Sequence, residues 1–327
     1  MIGRMELGDK GLFCIICLLI LLLSGSWAHA DIRFEEIHES AYHKLYSSRE
    51  ASASCLAFSA ALEQRIADLQ ITLGVYPSER VSIYMVHGAR EYSQISRGRA
   101  KIIEFSDAFY SGGEGVIYIR SQDQISENYL HILLHEYIHW YVDQLFISAP
   151  LWFHEGMATY FSGQMGYERF LLYLKESLVN PQSDLYRIGF SYPPDRRDWP
   201  RFYASSAMAI RFMKDKHAKN WQRFWDITAQ SHKEGRKIRF SQAFISSYHF
   251  SLWDFQNSFE EYSRKQGYLY LIVAINSMIF ALLPFVVIAI YLKRRKRMKQ
   301  LPDLPEPMPT ADADALPKED DEADLRL

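Results

Sequence analysis

Residues Leu133 to Leu145 read LLHEYIHWYVDQL, and within them His135-Glu136-Tyr137-Ile138-His139 spells H-E-x-x-H. On a helix advancing about 100° per residue, His139 lies about 40° from His135, Asp143 about 80° and Glu136 about 100°. Both imidazoles therefore share one stripe, with a carboxylate beside them. Two neutral histidines in that arrangement can hold a zinc ion, and the adjacent glutamate can act on a water at the metal. Leu130, Leu133, Leu134, Ile138 and Leu145 supply apolar surface on the remaining faces, so the helix can be buried while its polar stripe faces a cleft. Two ligands do not complete a catalytic zinc site, and a third must come from elsewhere in the chain.

Downstream, Leu151-Trp152-Phe153-His154-Glu155-Gly156-Met157-Ala158-Thr159-Tyr160 follows Pro150 and reads as a new helix. Glu155 lies sixteen residues past His139, enough chain for one reversal. His154 competes with it as a ligand. Upstream, the stretch from Phe34 to Leu73 has helical periodicity, and VSIYMV (Val81 to Val86) reads as a strand. The turn Ser111-Gly112-Gly113-Glu114-Gly115 precedes a second strand, Val116 to Arg120, expected to offer the extended edge beside which a peptide could lie. From about Ser126 the pattern is largely helical, with breaks at Ala149-Pro150, at Asn180-Pro181 and through Tyr192 to Pro200. The fold class is α+β, a small N-terminal sheet followed by a mainly helical domain.

The two ends of the chain add location. Leu12 to Leu23 is an unbroken apolar run after Arg4 and Lys10, and it ends in an A-x-A site at Ala30. That is a signal peptide over residues 1–30, with an uncleaved anchor as the alternative. Tyr268 to Leu292 is 25 residues without a charge, followed by Lys293-Arg294-Arg295-Lys296-Arg297. It is long enough to cross a bilayer, and the basic run places the following end in the cytoplasm. The expected order is signal, extracytoplasmic domain 31–267, transmembrane helix 268–292 and cytoplasmic tail 293–327. The tail is Pro- and Ala-rich, with nine acidic against two basic side chains from Leu301 onward, a composition of disordered chain. A net charge of −2 argues against nucleic acid. The basic cluster beside the membrane suits anionic lipid instead. Cys55 alone remains after signal removal, so the domain has no internal disulfide and Cys55 is expected as a small buried side chain.

The paired segments HEYIHWYVDQL and PLWFHEGMATYF resemble the gluzincin zinc peptidases, and most of all the peptidase MA-like domain family, whose second motif is similar to P-x-W-x-x-E-G-x-A-x-Y. Pro150, Trp152, Glu155, Gly156, Ala158 and Tyr160 match in order. The resemblance runs from about Val75 to Gly267 and implies a zincin-like catalytic domain. His135, His139 and Glu155 become the Zn²⁺ ligands, Glu136 the base that activates the water, and Gly156 the point of close helix packing. Relatives often carry a Tyr or His on a later helix that steadies the oxyanion, which makes Tyr203 the candidate here. Two departures stand out. The position four residues after the ligand glutamate, where many gluzincins have an Asp that orients a histidine, holds Thr159; Asp143 or a backbone carbonyl could serve instead. No G-x-M-E-N motif is present, which favours an endopeptidase acting on protein or peptide substrates. The alternative is a catalytically silent, membrane-tethered binding module that keeps the zincin fold.

His131, one turn before His135, reads as an ordinary histidine or a substrate-facing one. Arg196, Arg197 and Arg201 form a basic patch that is more simply solvated. The aromatic stretch from Trp221 to Phe259 reads as packing core.

Overall fold

A computed structural model describes residues 32–49, 53–97, 99, 107–121, 127–179, 189 and 191–299, with the side chains of 53–57, 127 and 179 outside that set. The expected signal peptide, the acidic tail, the break at Asn180-Pro181 and the side chain of Cys55 all lie outside the described residues. The chain divides into two units, Met1–Tyr268 and Leu269–Leu327.

The first unit is α+β. Its sheet contains β1 (Glu35–Glu39), β2 (His43–Ser47), β3 (Val81–Val86), β4 (Ala108–Ser111) and β5 (Val116–Arg120), in the order β1-β2-β3-β5-β4. β2, β3 and β5 run parallel, while β1 and β4 are antiparallel edges. The helix α1 (Ala53–Leu73) connects β2 to β3, and α2 (Ala89–Ser96) follows β3. This corrects two expectations. The supposed helix from Phe34 is a strand pair up to Ser47, because Leu45 and its partners Ile83 and Ile117 meet in register and are fully buried. The strand Val116–Arg120 is interior, and the edge beyond it is β4, a four-residue strand just before the glycine turn. The turn itself forms as expected, with Gly115 at φ 71°, a value suited to glycine.

On the other face of the sheet the same register lines up Tyr46, Tyr84, Tyr118 and Phe109. Their rings stack at 4.8, 5.3 and 5.2 Å along the row. Such cross-strand aromatic pairs stabilise a sheet by roughly 0.2–1 kcal/mol each.

After the sheet comes α3 (Glu127–Leu145), then α4 (Leu151–Phe161), α5 (Tyr167–Val179), a 3₁₀ turn (Arg196–Asp198), α6 (Trp199–Lys216), α7 (Ala218–Lys233), α8 (Phe240–Tyr248) and α9 (Leu252–Met298). Two short strands, β6 (Phe146–Ile147) and β7 (Ile238–Arg239), pair in parallel. The expected Trp221–Phe259 aromatic core is present: Phe224, Trp225, Phe240, Phe244, Phe255 and Phe259 are buried. The first turns of α9 join this core, with Phe255 stacked on Trp152 at 5.6 Å and Ser263 accepting a hydrogen bond from the Tyr173 hydroxyl at 2.7 Å.

In the second unit, the described residues continue α9 through an exposed apolar surface that includes Phe280, Phe285, Val287 and Ile290. Among the described residues, α9 is the one helix long and apolar enough to cross a membrane. It contains Pro284 and ends in a basic last turn, Arg295, Lys296 and Arg297.

Candidate metal centre

The stripe on α3 is aimed by what its other faces bury. Leu133, Tyr137, Ile138, Tyr141 and Val142 are fully withdrawn from solvent. Tyr137 accepts a hydrogen bond from Gln70 of α1 at 2.9 Å, and Tyr141 donates to the Val75 carbonyl at 2.8 Å. Those two buried bonds hold the helix against rotation and leave His135 and His139 facing a cleft of about 1430 Å³.

The chain reverses after α3 through Ser148, a non-glycine residue at φ 57°, and Pro150 precedes the first residue of α4. The reversal lets α4 return beside α3. Its depth is set by Gly156, where a Cβ would lie only 2.4 Å from the Ser206 carbonyl oxygen of α6 and 2.8 Å from Ile210 Cγ1. Around Ser206 the residues of α6 are small and buried: Ala204, Ser205, Ser206 and Ala207. The close approach carries the neighbouring Glu155 inward until it is 1% exposed.

His135, His139 and Glu155 thereby come together, each offering a ligand atom within 4.8 Å of the others. Glu155 Oε2 lies 3.4 Å from His135 Nε2 and 3.6 Å from His139 Nε2. Ligands about 2.0–2.1 Å from one tetrahedral zinc sit roughly 3.4 Å apart, so the three donors fit that ion. A second observation agrees. Glu155 Oε2 is buried without a hydrogen-bond partner among the described residues, and an uncompensated buried carboxylate oxygen is costly unless a cation meets it.

The charge states fit a cation too. Burial draws His139 down to about 3, so its imidazole is neutral. Burial opposes the charged form of Glu155, but His139, His135 and the Tyr192 hydroxyl outweigh it and bring the carboxyl down to about 2. His135 is also opposed by burial, yet the Glu155 carboxylate facing it at 3.4 Å and the charge of Glu136 raise it. A cation bound there would compete with any proton on His135. Glu136 is pushed up to about 7, chiefly by burial; His135 pulls it down while the Glu155 charge pushes it up. Its Oε2 accepts the backbone N–H of Tyr110, on edge strand β4, at 2.8 Å.

The other sequence candidates sort as follows. Tyr203, on α6, lines the cleft with its ring 6.5 Å from that of His135. Burial raises its hydroxyl, with Glu155 and Glu136 adding, so it stays protonated and able to donate. Asp143 faces His154, Oδ1 to Nε2 at 3.5 Å, and bonds to the Tyr110 side chain. His154 thus stands beside His139, at 5.8 Å between rings, paired with Asp143 rather than joined to the three-donor group. Thr159 Oγ1 and His135 Nδ1 are both buried without a partner among the described residues. His131 packs its ring against Gly163, where an added Cβ would meet His131 Cε1 at 3.1 Å. The arginines of the loop are engaged locally: Arg197 with Asp195, Arg201 with Glu176, and Arg196 over the Trp199 ring.

Two residues escaped sequence reasoning. Tyr192 donates its hydroxyl hydrogen bond to Glu155 Oε1, leaving Oε2 to face the histidines. It sits 37 positions from Glu155, in a loop without a repeating pattern. Arg169, in the first turn of α5, lines the same cleft. No local motif marks it among the other arginines.

No protein family model matches the chain, and no curated protein matches it either. Among solved structures, an aminopeptidase N family protein from Idiomarina loihiensis is similar at 16% identity and a TM-score of 0.35, over 62% of this chain and 42% of its own. The chain therefore spans about two fifths of that structure's length, and a superposition that loose assigns neither fold nor site.

Proposed function

We propose that this protein is a membrane-anchored zinc metallopeptidase of the gluzincin type, resembling the peptidase MA-like domain family, with a zincin-like catalytic domain held outside the cytoplasm. The observation that carries the reading is the convergence of His135, His139 and Glu155 on one point, with Glu136 beside them and an open cleft in front. Two imidazoles, one carboxylate and room for a water are the donor set of catalytic rather than structural zinc, which would want a fourth protein ligand.

In this reading His135, His139 and Glu155 hold Zn²⁺, and Tyr192 keeps Glu155 turned so that one oxygen faces the histidines. Bound zinc supplies Lewis acidity toward the water and the scissile carbonyl. Glu136 takes the proton from the attacking water on its carboxylate oxygen and hands it to the leaving amine. A carboxyl near 7 suits both halves of that transfer. The Tyr203 hydroxyl donates to the oxyanion that forms. The edge of β4 offers backbone groups to an extended peptide. Residues 31–267 form the extracytoplasmic domain, α9 supplies the membrane span at 268–292, and the basic run from Lys293 meets anionic lipid on the cytoplasmic side. An endopeptidase acting on extracytoplasmic proteins or peptides is the form favoured.

The test is Glu136→Gln in the full chain. Zinc measured by elemental analysis stays near one per chain, while peptide hydrolysis falls by at least about a thousandfold. A variant that hydrolyses at the unaltered rate removes Glu136 from the chemistry. Comparing protein termini in cells carrying either form identifies the substrates.

A further inference from the structure

Among the described residues three arginines line the cleft, Arg99, Arg169 and Arg196, and two of them are engaged. Arg99 and Arg120 pair with Glu114 and Asp107 at 2.8 and 3.2 Å, and Arg80 with Glu39. Arg196, which also lines the cleft, lies over the Trp199 ring. Arg169 differs. Its side-chain contact is a single neutral one, Nη1 to Gln164 Oε1 at 3.5 Å, the outer limit of a hydrogen bond. Among the described residues no carboxylate pairs with it. It is nonetheless half-buried, and burial lowers it, with the Tyr203 hydroxyl as the only opposing influence. Its charge also reaches His135. A guanidinium withdrawn from water without an anion is unfavourable, and buried charges are normally paired. Here the missing anion has an open approach, because the side chain borders the cleft that holds the three-donor group.

We propose that Arg169 anchors a carboxylate of the substrate, so that the site takes anionic peptides. This rests on the peptidase reading above. The guanidinium presents a planar fork that accepts a carboxylate through two parallel hydrogen bonds. Gln164 touches the guanidinium, and Tyr203 lines the same cleft within electrostatic reach of it. The carboxylate is either the peptide's own C-terminus or an Asp or Glu side chain, and both offer the same two oxygens.

The experiment uses the full chain in detergent micelles, loaded with zinc and carrying Glu136→Gln so that bound peptides stay intact. Four synthetic peptide pools are passed over it. One has free C-termini and natural Asp and Glu, one has amidated C-termini, one has Asn and Gln in place of Asp and Glu, and one has both changes. Zinc itself attracts carboxylates, so the comparison is repeated with Arg169→Gln and Arg169→Lys added, each checked for zinc content and thermal stability. The expected result is at least about tenfold stronger retention of the first pool than of the fourth, lost in Arg169→Gln and partly restored in Arg169→Lys. The two middle pools tell which carboxylate is held. Equal retention of the first and fourth pools, or undiminished discrimination by Arg169→Gln, overturns the proposal. Turnover by the protein with Glu136 intact separates the two claims. Equal cleavage of the first and fourth pools sinks the anchor and leaves the peptidase standing. Arg169-dependent retention without cleavage of any pool leaves the anchor standing and removes the peptidase.

Discussion

His43 and His135 both keep an imidazole away from bulk water, and their surroundings are opposites. His43, on β2, is fully buried with both nitrogens engaged, Nδ1 with Ser40 Oγ at 2.9 Å and Nε2 with Ser59 Oγ at 2.7 Å. His135, on α3, has a buried Nδ1 with no partner among the described residues, and its Nε2 points at the carboxylate of Glu155, whose nearer oxygen is itself unsatisfied. The first is a closed polar cluster that stabilises a sheet. The second is an open one whose accounts balance only when something else arrives. Burial and residue type are alike, so the difference that separates structure from function is hydrogen-bond saturation.

Metal addition should separate the two regions most sharply. Zinc at about a thousand times its dissociation constant raises stability by about 4 kcal/mol in the unaltered protein and in His43→Asn, and by nothing measurable in Glu155→Ala. Thermal denaturation with and without a chelator, together with elemental analysis, reads both. A full zinc complement in Glu155→Ala would hand the third ligand position to His154. Next comes Gly156→Ala. The new Cβ meets the Ser206 carbonyl, which is backbone and cannot swing away, so α4 must back off α6. A loss of about 3 kcal/mol is expected by denaturant titration, with weaker zinc binding because Glu155 moves with its helix. Among the described residues no glycine on the sheet side is comparably crowded, so this loss is expected from the α4–α6 contact alone.

The closed cluster answers to pH. Burial, with His38 adding, brings His43 down to about 4 from its usual 6.5. Between those values the unfolded chain binds the proton and the folded chain does not. The stabilisation is therefore complete above about pH 6.5 and is lost as pH falls toward 4, by up to about 3 kcal/mol. Denaturant titrations across that window, made in the Glu155→Ala background to silence the metal, should show this slope with His43 and lack it in His43→Asn. Equal slopes would mean that burial does not hold His43 neutral. The smallest effect belongs to Tyr192→Phe, which removes one hydrogen bond from the Glu155 oxygen turned away from the histidines. About 1 kcal/mol, or roughly fivefold in zinc affinity by chelator competition, is the expected size.

Much of how His135, His139 and Glu155 come together was legible in the sequence because its signals are local. The spacing of His135, Glu136 and His139 sets one helical face, and Pro150 through Gly156 marks the start of the helix that returns with Glu155. The family resemblance implied Gly156 as a packing point, and the structure supplies the atom a Cβ there would meet, the Ser206 carbonyl oxygen. The strands β1 and β2 were not legible. EEIHE and HKLYS are short and charged, and only pairing with Val81–Val86 across an intervening helix makes them a sheet. The edge β4 went unseen for a related reason: four residues carry too little alternation to be noticed, and Val116–Arg120 carries the stronger pattern. Tyr192 and Arg169 owe their importance to tertiary neighbours, one to the carboxylate it touches and the other to the carboxylate it lacks. Neither fact is written in nearby residues.

The hydrogen bond from the Tyr110 amide to Glu136 has a consequence for timing. That amide is the outward rung of the edge strand next to the metal group, and it carries one proton to give. A peptide that lengthens the sheet by pairing at this rung must replace Glu136 as the acceptor of the Tyr110 N–H. Docking would then cut the carboxylate loose at the same moment that it delivers the bond to be broken. In the peptidase reading proposed above, the Tyr110 amide would hold Glu136 until a substrate's backbone carbonyl took its place.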